Sequence, residues 1–213
     1  MNKLIFFILF LISFQGFSQN DAKAKSLLDE VSAKMKSYDN LFIDFKYVLE
    51  NTAENIQQET RGDVTLKKDK YLLNMMGVVR LFDGKSTYTI VPEDEEITIS
   101  SQQDEDKNSI TPAELLTFYQ SGYAFQWDRE QNLKGRKIQY VKLLPTDPKS
   151  EIKHILLGID AQTKNIYNLI EIGKNGTQTT LTISSLKVNQ PLSDKLFTFD
   201  ASKYPDYYIN KLN

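Results

Sequence analysis

Two hydrophobic periods alternate along the chain. Over residues 21–38, Leu27, Leu28, Val31, Met35 and Tyr38 recur at helical spacing among Lys, Asp, Glu and Ser, which predicts an amphipathic helix ended by Asp39-Asn40. From Leu41 the period becomes two. Leu41, Ile43, Phe45, Tyr47 and Leu49 share one face, and Phe42, Asp44, Lys46, Val48 and Glu50 share the other, the signature of a half-buried strand. Strand-like pieces follow over residues 62–67, 71–76, 78–82, 86–91 and 97–100, with a hairpin signal at Asp83-Gly84 and a turn at Pro92 and the acidic run 93–96. A polar linker occupies residues 104–108. Thr111-Pro112-Ala113-Glu114 then has the form of a helix start, with Thr as cap, Pro at the first helical position and Glu closing a capping box. Leu115, Leu116, Phe118 and Tyr119 make this short helix strongly apolar, and Ser121-Gly122 stops it. Strands are expected again over residues 137–144, 152–160, 166–172, 177–188 and 196–199. With hairpin-length connections and no βαβ rhythm, the order predicts a mainly β chain with helices (α+β). It forms one continuous antiparallel sheet of about ten to eleven strands, strongly curved or nearly closed, with two helical pieces over one face.

The N-terminal segment has a different character. Met1-Asn2-Lys3 is a short positive region, residues 4–12 are an unbroken apolar run, and Gly16 and Ser18 occupy the small positions of a cleavage site. This pattern predicts an exported chain with a leader over residues 1–18 and a single domain over residues 19–213.

Composition narrows the chemistry. The 213 residues include no Cys and one His, and the formal net charge is -2. Disulfides, thiol nucleophiles, Cys-ligated metals and a lipid-modified N-terminal cysteine are excluded. The absence of a basic block argues against a nucleic-acid partner. His154 alternates with Ile155, Leu157 and Ile159 and has no G-x-S-x-G elbow or identifiable partner for base work, so it reads as a sheet-surface histidine. The acidic runs 93–96 and 104–106 lack an EF-hand pattern and read as solvated turns rather than a metal site. Asn175-Gly176 reads as a hairpin turn. What stands out is the supply of large apolar side chains: 12 Phe, 11 Tyr and one Trp, Trp127. An ordinary core would absorb them, but a strongly curved sheet covered by two helical pieces encloses more volume than its side chains fill.

The order of short motifs resembles the periplasmic outer-membrane lipoprotein carrier family of the LolA type. The run 83–92, Asp-Gly-Lys-Ser-Thr-Tyr-Thr-Ile-Val-Pro, is similar to the family's Asp-Gly-Lys hairpin, aromatic strand and Pro, with Tyr88 where Trp is usual and Ile90 where Tyr is usual. Residues 41–45, the Gly-containing run 61–66, Thr111-Pro112 with its Leu-rich turn, Leu143-Leu144-Pro145 and Phe197-Thr198-Phe199 match further landmarks in order. The family's lid-closing Arg aligns with Lys68, which carries the charge without the planar five-donor fork.

The resemblance implies an incomplete antiparallel barrel with a helical lid that holds the acyl chains of lipoproteins. On that reading the lipid-binding residues are Leu41, Ile43, Phe45, Tyr47, Val64, Leu66, Tyr71, Leu73, Tyr88 and Ile90 from the sheet and Leu115, Leu116, Phe118 and Tyr119 from the lid, with Lys68 controlling the lid. The sheet assignment rests on period two, so a one-residue slip would invert it. The implied partners are acylated lipoproteins, an ATP-driven inner-membrane release complex and an outer-membrane acceptor, and the chain is expected to act as a monomer in the periplasm. No bond is made or broken in such transport, so no catalytic group, cofactor or metal is required. The rival readings are a lipid-sensing regulatory or scaffold module on the same fold and an envelope hydrolase acting on lipid.

Overall fold

The computed structural model describes residues 15–101, 112 and 114–212. Most of the expected leader, the polar linker and two residues of the expected helix start, Thr111 and Ala113, lie outside the described residues. Helix α1 (Gln15–Lys36) buries Ala24, Leu27, Leu28, Val31 and Met35, the stripe expected from helical spacing. Lys34 and Lys36 in its last turn complement the helix dipole. It begins six residues before the predicted start, and Gln15 to Ser18 of the expected leader belong to it. Among the described residues no helix is long and apolar enough to cross a membrane.

Twelve strands follow: β1 (Leu41–Asn51), β2 (Ile56–Lys67), β3 (Lys70–Met75), β4 (Val78–Phe82), β5 (Ser86–Val91), β6 (Glu96–Ser101), β7 (Tyr123–Leu133), β8 (Arg136–Pro145), β9 (Ile152–Asp160), β10 (Ile166–Gly173), β11 (Gln178–Val188) and β12 (Tyr208–Lys211). They form one open curved sheet in the order β12-β6-β5-β4-β3-β2-β1-β11-β10-β9-β8-β7. Pairing is antiparallel throughout except for β12, which runs parallel to β6. Register shifts at Asp44/Phe45, Ile166/Asn168 and Trp127/Glu130 insert extra residues, and such bulges bend and twist the strands that carry them. The start of β1 is tied to the end of β11 by Asn40, whose side chain donates to the Gln190 carbonyl (2.9 Å) and accepts from the Gln190 N–H (3.0 Å).

Three expectations are corrected. Residues 196–199 form no strand; a 3-10 turn, Asp194–Phe197, takes their place. The edge strands β7 and β12 were not expected. β7 carries Gln126, Asp128, Arg129, Glu130, Gln131 and Asn132, polar residues that disguise a strand, and its bulge interrupts the alternation. The short apolar helix is instead a pair of 3-10 turns, Glu114–Leu116 and Phe118–Gln120.

The main core lies between α1 and one face of the sheet, here termed the inner face. The opposite face is also covered in places. Over β3 to β6 the C-terminal segment lies on it: Lys67 pairs with Asp194 (2.7 Å), Phe197 is buried, and the ring of Tyr88 stacks on Phe199 (centroids 4.5 Å apart). Over β8 to β10 a smaller cluster of Ile138, Tyr140 and Leu156 covers it. On the inner face, Phe45 of β1 lies across Gly62 of β2, its cross-strand partner. A Cβ at position 62 would stand 2.6 Å from the Phe45 ring and 2.6 Å from the Asn74 carbonyl oxygen. Gly62→Ala is therefore expected to lower stability by about 2 kcal/mol through overpacking. Adding Phe45→Leu should restore part of that loss, and urea denaturation of the single and double variants measures the coupling.

Candidate functional site

The inner face is built from cross-strand rows. Directly opposed residues share a face, so the registers define each row without ambiguity. Near the β2–β3 turn, Val188, Leu41, Leu66, Tyr71 and Phe82 form one row and Leu186, Ile43, Val64 and Leu73 the next. Further along β1, Tyr47, Leu181, Leu169, Leu157, Val141 and Trp127 form a row across six strands. Leu49, Thr179, Glu171, Ile155, Leu143 and Phe125 form the row beyond it.

Burial along this face is uneven. Helix α1 reaches the β9–β10 turn, where Lys164 pairs with Glu30 (3.2 Å), and its C-terminal end shares a cleft with Leu41 and Leu66. Leu41, Ile43, Leu66, Tyr71, Ile159 and Ile166 are sealed, and so are Val141, Leu143, Ile155 and Leu157 further along. Beside these, Tyr47, Leu73, Met75, Tyr123, Phe125, Trp127, Ile152, Leu169, Leu181 and Ile183 are only half-buried against the core. Sealed and half-buried apolar side chains thus lie side by side, and the half-buried ones remain partly open to water.

The two 3-10 turns sit at the margin of α1. Tyr119 is 1% exposed, and its hydroxyl makes no hydrogen bond among the described residues. Burial, with the charge of Asp29 behind it, pushes that hydroxyl up to about 12. Gln120 donates to the Ser32 hydroxyl of α1, and Phe118 packs edge-on against both Tyr119 and Tyr123. A cleft flanks the segment on each side. One, about 380 Å³, is lined by Leu28, Ser32, Tyr119, Gln120 and Phe125 among others. The other, about 280 Å³, is lined by Met35, Tyr38, Leu41, Leu66, Lys68, Leu116 and Thr117 among others.

The structure brings together most of the sequence-predicted site. Leu41, Ile43, Phe45, Val64, Leu66, Tyr71 and Tyr119 are buried in the main core, and Tyr47, Leu73, Leu116 and Phe118 pack half-buried against it. Lys68 occupies the β2–β3 turn with φ 58° and faces the same cleft as Leu116. The side chain of Leu115 lies outside the described ones. Tyr88 and Ile90 do not join the others, which corrects the expectation that they share the face of Leu41. In β5 the inner residue of the leading row is Thr87, opposite Phe82, whereas Tyr88 pairs with Leu81 and Ile90 with Val79 on the outer face. Tyr88 also accepts the Phe199 stack there and donates to the Asp83 carboxylate (3.1 Å). Alternation picked the more apolar side of β5, but that side packs under the C-terminal segment, and the inner side carries Thr87 and Thr89.

Sequence reasoning missed the contribution of the second half. Phe125, Trp127, Ile155, Leu157, Leu169, Leu181 and Ile183 belong to the inner face, and so does Glu171. The signal was present in Leu169-Ile170-Glu171-Ile172, where period two puts Glu171 beside Leu169. Glu171 is the only charged residue in its row and in the row of Tyr47. It is half-buried and has no hydrogen bond or ion pair among the described residues, and burial raises its carboxyl above the usual carboxylate range. Burial, then the charge of Glu171, raises the Tyr123 hydroxyl. His154 lies on the outer face, opposite Ile172, where burial and then Lys142 and Lys153 lower it.

A carboxyl raised on folding is uncharged at no cost below its unfolded value, and it costs stability once the pH rises through its folded value. Glu171→Gln is thus expected to melt higher than the wild type at about pH 8, by up to about 1 kcal/mol because solvent screens a half-exposed group. The two should converge at about pH 4, as thermal melts across that range would measure.

Comparison with known proteins places this geometry. A family model described as outer membrane lipoprotein carrier protein LolA matches residues 36–200. A search of curated protein sequences finds no match. Among solved structures, an uncharacterized conserved protein from Thermus thermophilus is similar at a TM-score of 0.56 and 10% identity, over 89% of this chain and 99% of that one. LprF from Mycobacterium bovis is similar at 0.50 and 14%, over 81% and 95%. A LolA superfamily protein from Nitrosomonas europaea is similar at 0.44 and 13%, over 83% and 97%. At such identities the structural likeness speaks for the fold. The family match runs from the last residue of α1 through β11 and the 3-10 turn after it, and so takes in both halves of the inner face: this chain belongs to the outer membrane lipoprotein carrier protein LolA family.

Proposed function

We propose that this chain is a periplasmic carrier that shelters the acyl chains of lipoproteins on its inner face and ferries them from the inner to the outer membrane. The observation that carries this reading is the set of large apolar side chains left half-buried on the inner face, Tyr47, Leu169, Leu181, Ile183 and Trp127. Side chains of this kind gain by further burial at about 25 cal/mol per Å². Each methylene that a lipoprotein withdraws from water gains about 0.8 kcal/mol in turn. An incompletely covered surface matches much of that gain without trapping the cargo.

The sheet acts as an incomplete barrel, and the paired 3-10 turns act as its lid. Tyr119 anchors the lid under α1 through burial, and Gln120 ties it to Ser32. Clefts on both sides leave the lid room to shift, and Lys68 offers a point charge beside Leu116. Transport requires no chemical step at the site. An ATP-driven inner-membrane release complex loads the carrier and an outer-membrane acceptor unloads it, which supplies the direction that a passive cavity lacks.

Leu181→Asp tests the reading, because the position is half-exposed and tolerates a polar residue better than the sealed Phe45. The variant is expected to fold, by circular dichroism, and to release at least about tenfold less lipoprotein from spheroplasts than the wild type. Tyr88→Ala, on the outer face, should release as much as the wild type. Equal release by Leu181→Asp and the wild type would refute the assignment. A protein that binds lipid yet releases no lipoprotein would fit the sensing module instead.

A further inference from the structure

We infer that Glu171 is the polar anchor of the acyl-binding face and that it selects ligands bearing a free ammonium group next to their acyl chains. This inference rests on the carrier reading and names the chemistry of its cargo. Glu171 stands between Ile155 and Thr179 in a row otherwise made of Leu49, Leu143 and Phe125. No cation among the described residues reaches it, although ion pairs are formed elsewhere on the molecule, as between Lys46 and Glu59 (2.9 Å). A half-buried carboxylate left unpaired in apolar surroundings costs stability, and its needs are met by a partner that brings a positive charge. The position suits an amphiphile. Leu169 lies two residues back along β10, about 7 Å from Glu171, in the row with Leu181 and Tyr47. An ammonium held at Glu171 therefore leaves attached acyl chains within reach of the half-buried Leu169, Leu181 and Tyr47.

Two cargoes share this chemistry: a diacylated polypeptide whose α-amino group is free, and a diacyl phospholipid with a primary amine headgroup. An amide at the same position is neutral and gains nothing from the carboxylate. Glu171 would thereby separate a lipoprotein with a free N-terminus from one whose N-terminus is itself acylated.

Tryptophan fluorescence of the wild-type chain and of Glu171→Gln, read through Trp127 on the inner face, measures binding of four probes. These are a dipalmitoyl lipopeptide with a free N-terminus, its N-acetyl counterpart, dipalmitoyl phosphatidylethanolamine and its N-acetyl form. The wild type is expected to bind at least one free amine about tenfold tighter than its capped counterpart, and the isosteric variant to bind both equally. Which pair shows the difference identifies the source of the amine. Equal affinity for free and capped probes in the wild type, or a preference that survives in Glu171→Gln, overturns the inference while leaving the carrier reading intact. Failure of every probe to bind overturns the carrier reading, and the inference falls with it.

Discussion

One helix has to cover a twelve-stranded sheet, and it does not reach across it. Strands spaced about 4.8 Å apart make a sheet this wide roughly 50 Å across before curvature, whereas a helix of 22 residues is about 33 Å long. Burial under α1 is uneven: Val141, Leu143, Ile155 and Leu157 are sealed, whereas Tyr47, Leu169, Leu181 and Ile183 stay half-buried. Curvature reduces the mismatch by folding the sheet towards the helix, and the bulges in β7, β10 and β11 supply part of it. The half-buried apolar side chains keep part of their surface open to water. In an ordinary globular domain such a surface would be a defect, and in a carrier of acyl chains it is the working part.

The same geometry explains why the outer face is not simply polar. A strand with only one face buried alternates cleanly, but β4 buries Phe82 in the inner core and Leu81 on the outer side, and in β5 and β6 the buried Ile90 and Ile97 lie on the outer side. Leu81, Ile90, Ile97 and Phe197 are buried without belonging to the α1 core. This second packing fixes the edge of the sheet, since the segment continues into β12 and pairs with β6. On the carrier reading proposed above, function and scaffold are divided between faces: the outer side is closed by the chain itself, and the inner side is left in part for another molecule.

How much of this was legible depended on whether one face or two were buried. In β1 the alternation of Leu41, Ile43, Phe45 and Tyr47 with Asp44 and Lys46 was enough to choose the inward side. The helix stripe from Leu27 to Met35 was equally plain. In β5 the pattern Thr87-Tyr88-Thr89-Ile90 pointed the wrong way, because the larger residues serve the C-terminal segment and the smaller threonines face inwards. β7 was hidden by its charged edge, a common protection for an unpaired strand. The last strand was hidden by its pairing with β6, a long-range contact that no local pattern in Tyr208–Lys211 announces. The motif order that resembles the carrier family identified the architecture, but it could not tell which residues of the second half face inwards. That needed the registers of β8 to β11.

Glu171 shows what a register adds to a pattern. Along β10 it looks like one of many surface carboxylates in a chain with 28 acidic residues. Across the sheet it becomes the single charge among leucines, isoleucines and aromatic rings in two neighbouring rows of the inner face. A polar group in such a place is expensive, and proteins break a local rule of this kind mainly where a ligand repays it. An apolar face alone would hold any acyl chain with an energy that scales only with length, so it would discriminate poorly between cargoes. A lone carboxylate changes that. It weakens the empty carrier slightly, it adds nothing for a neutral ligand, and it rewards one kind of polar end. On the proposed reading affinity comes from the hydrocarbon and choice from the charge, and the two reside in adjacent rows of the same sheet.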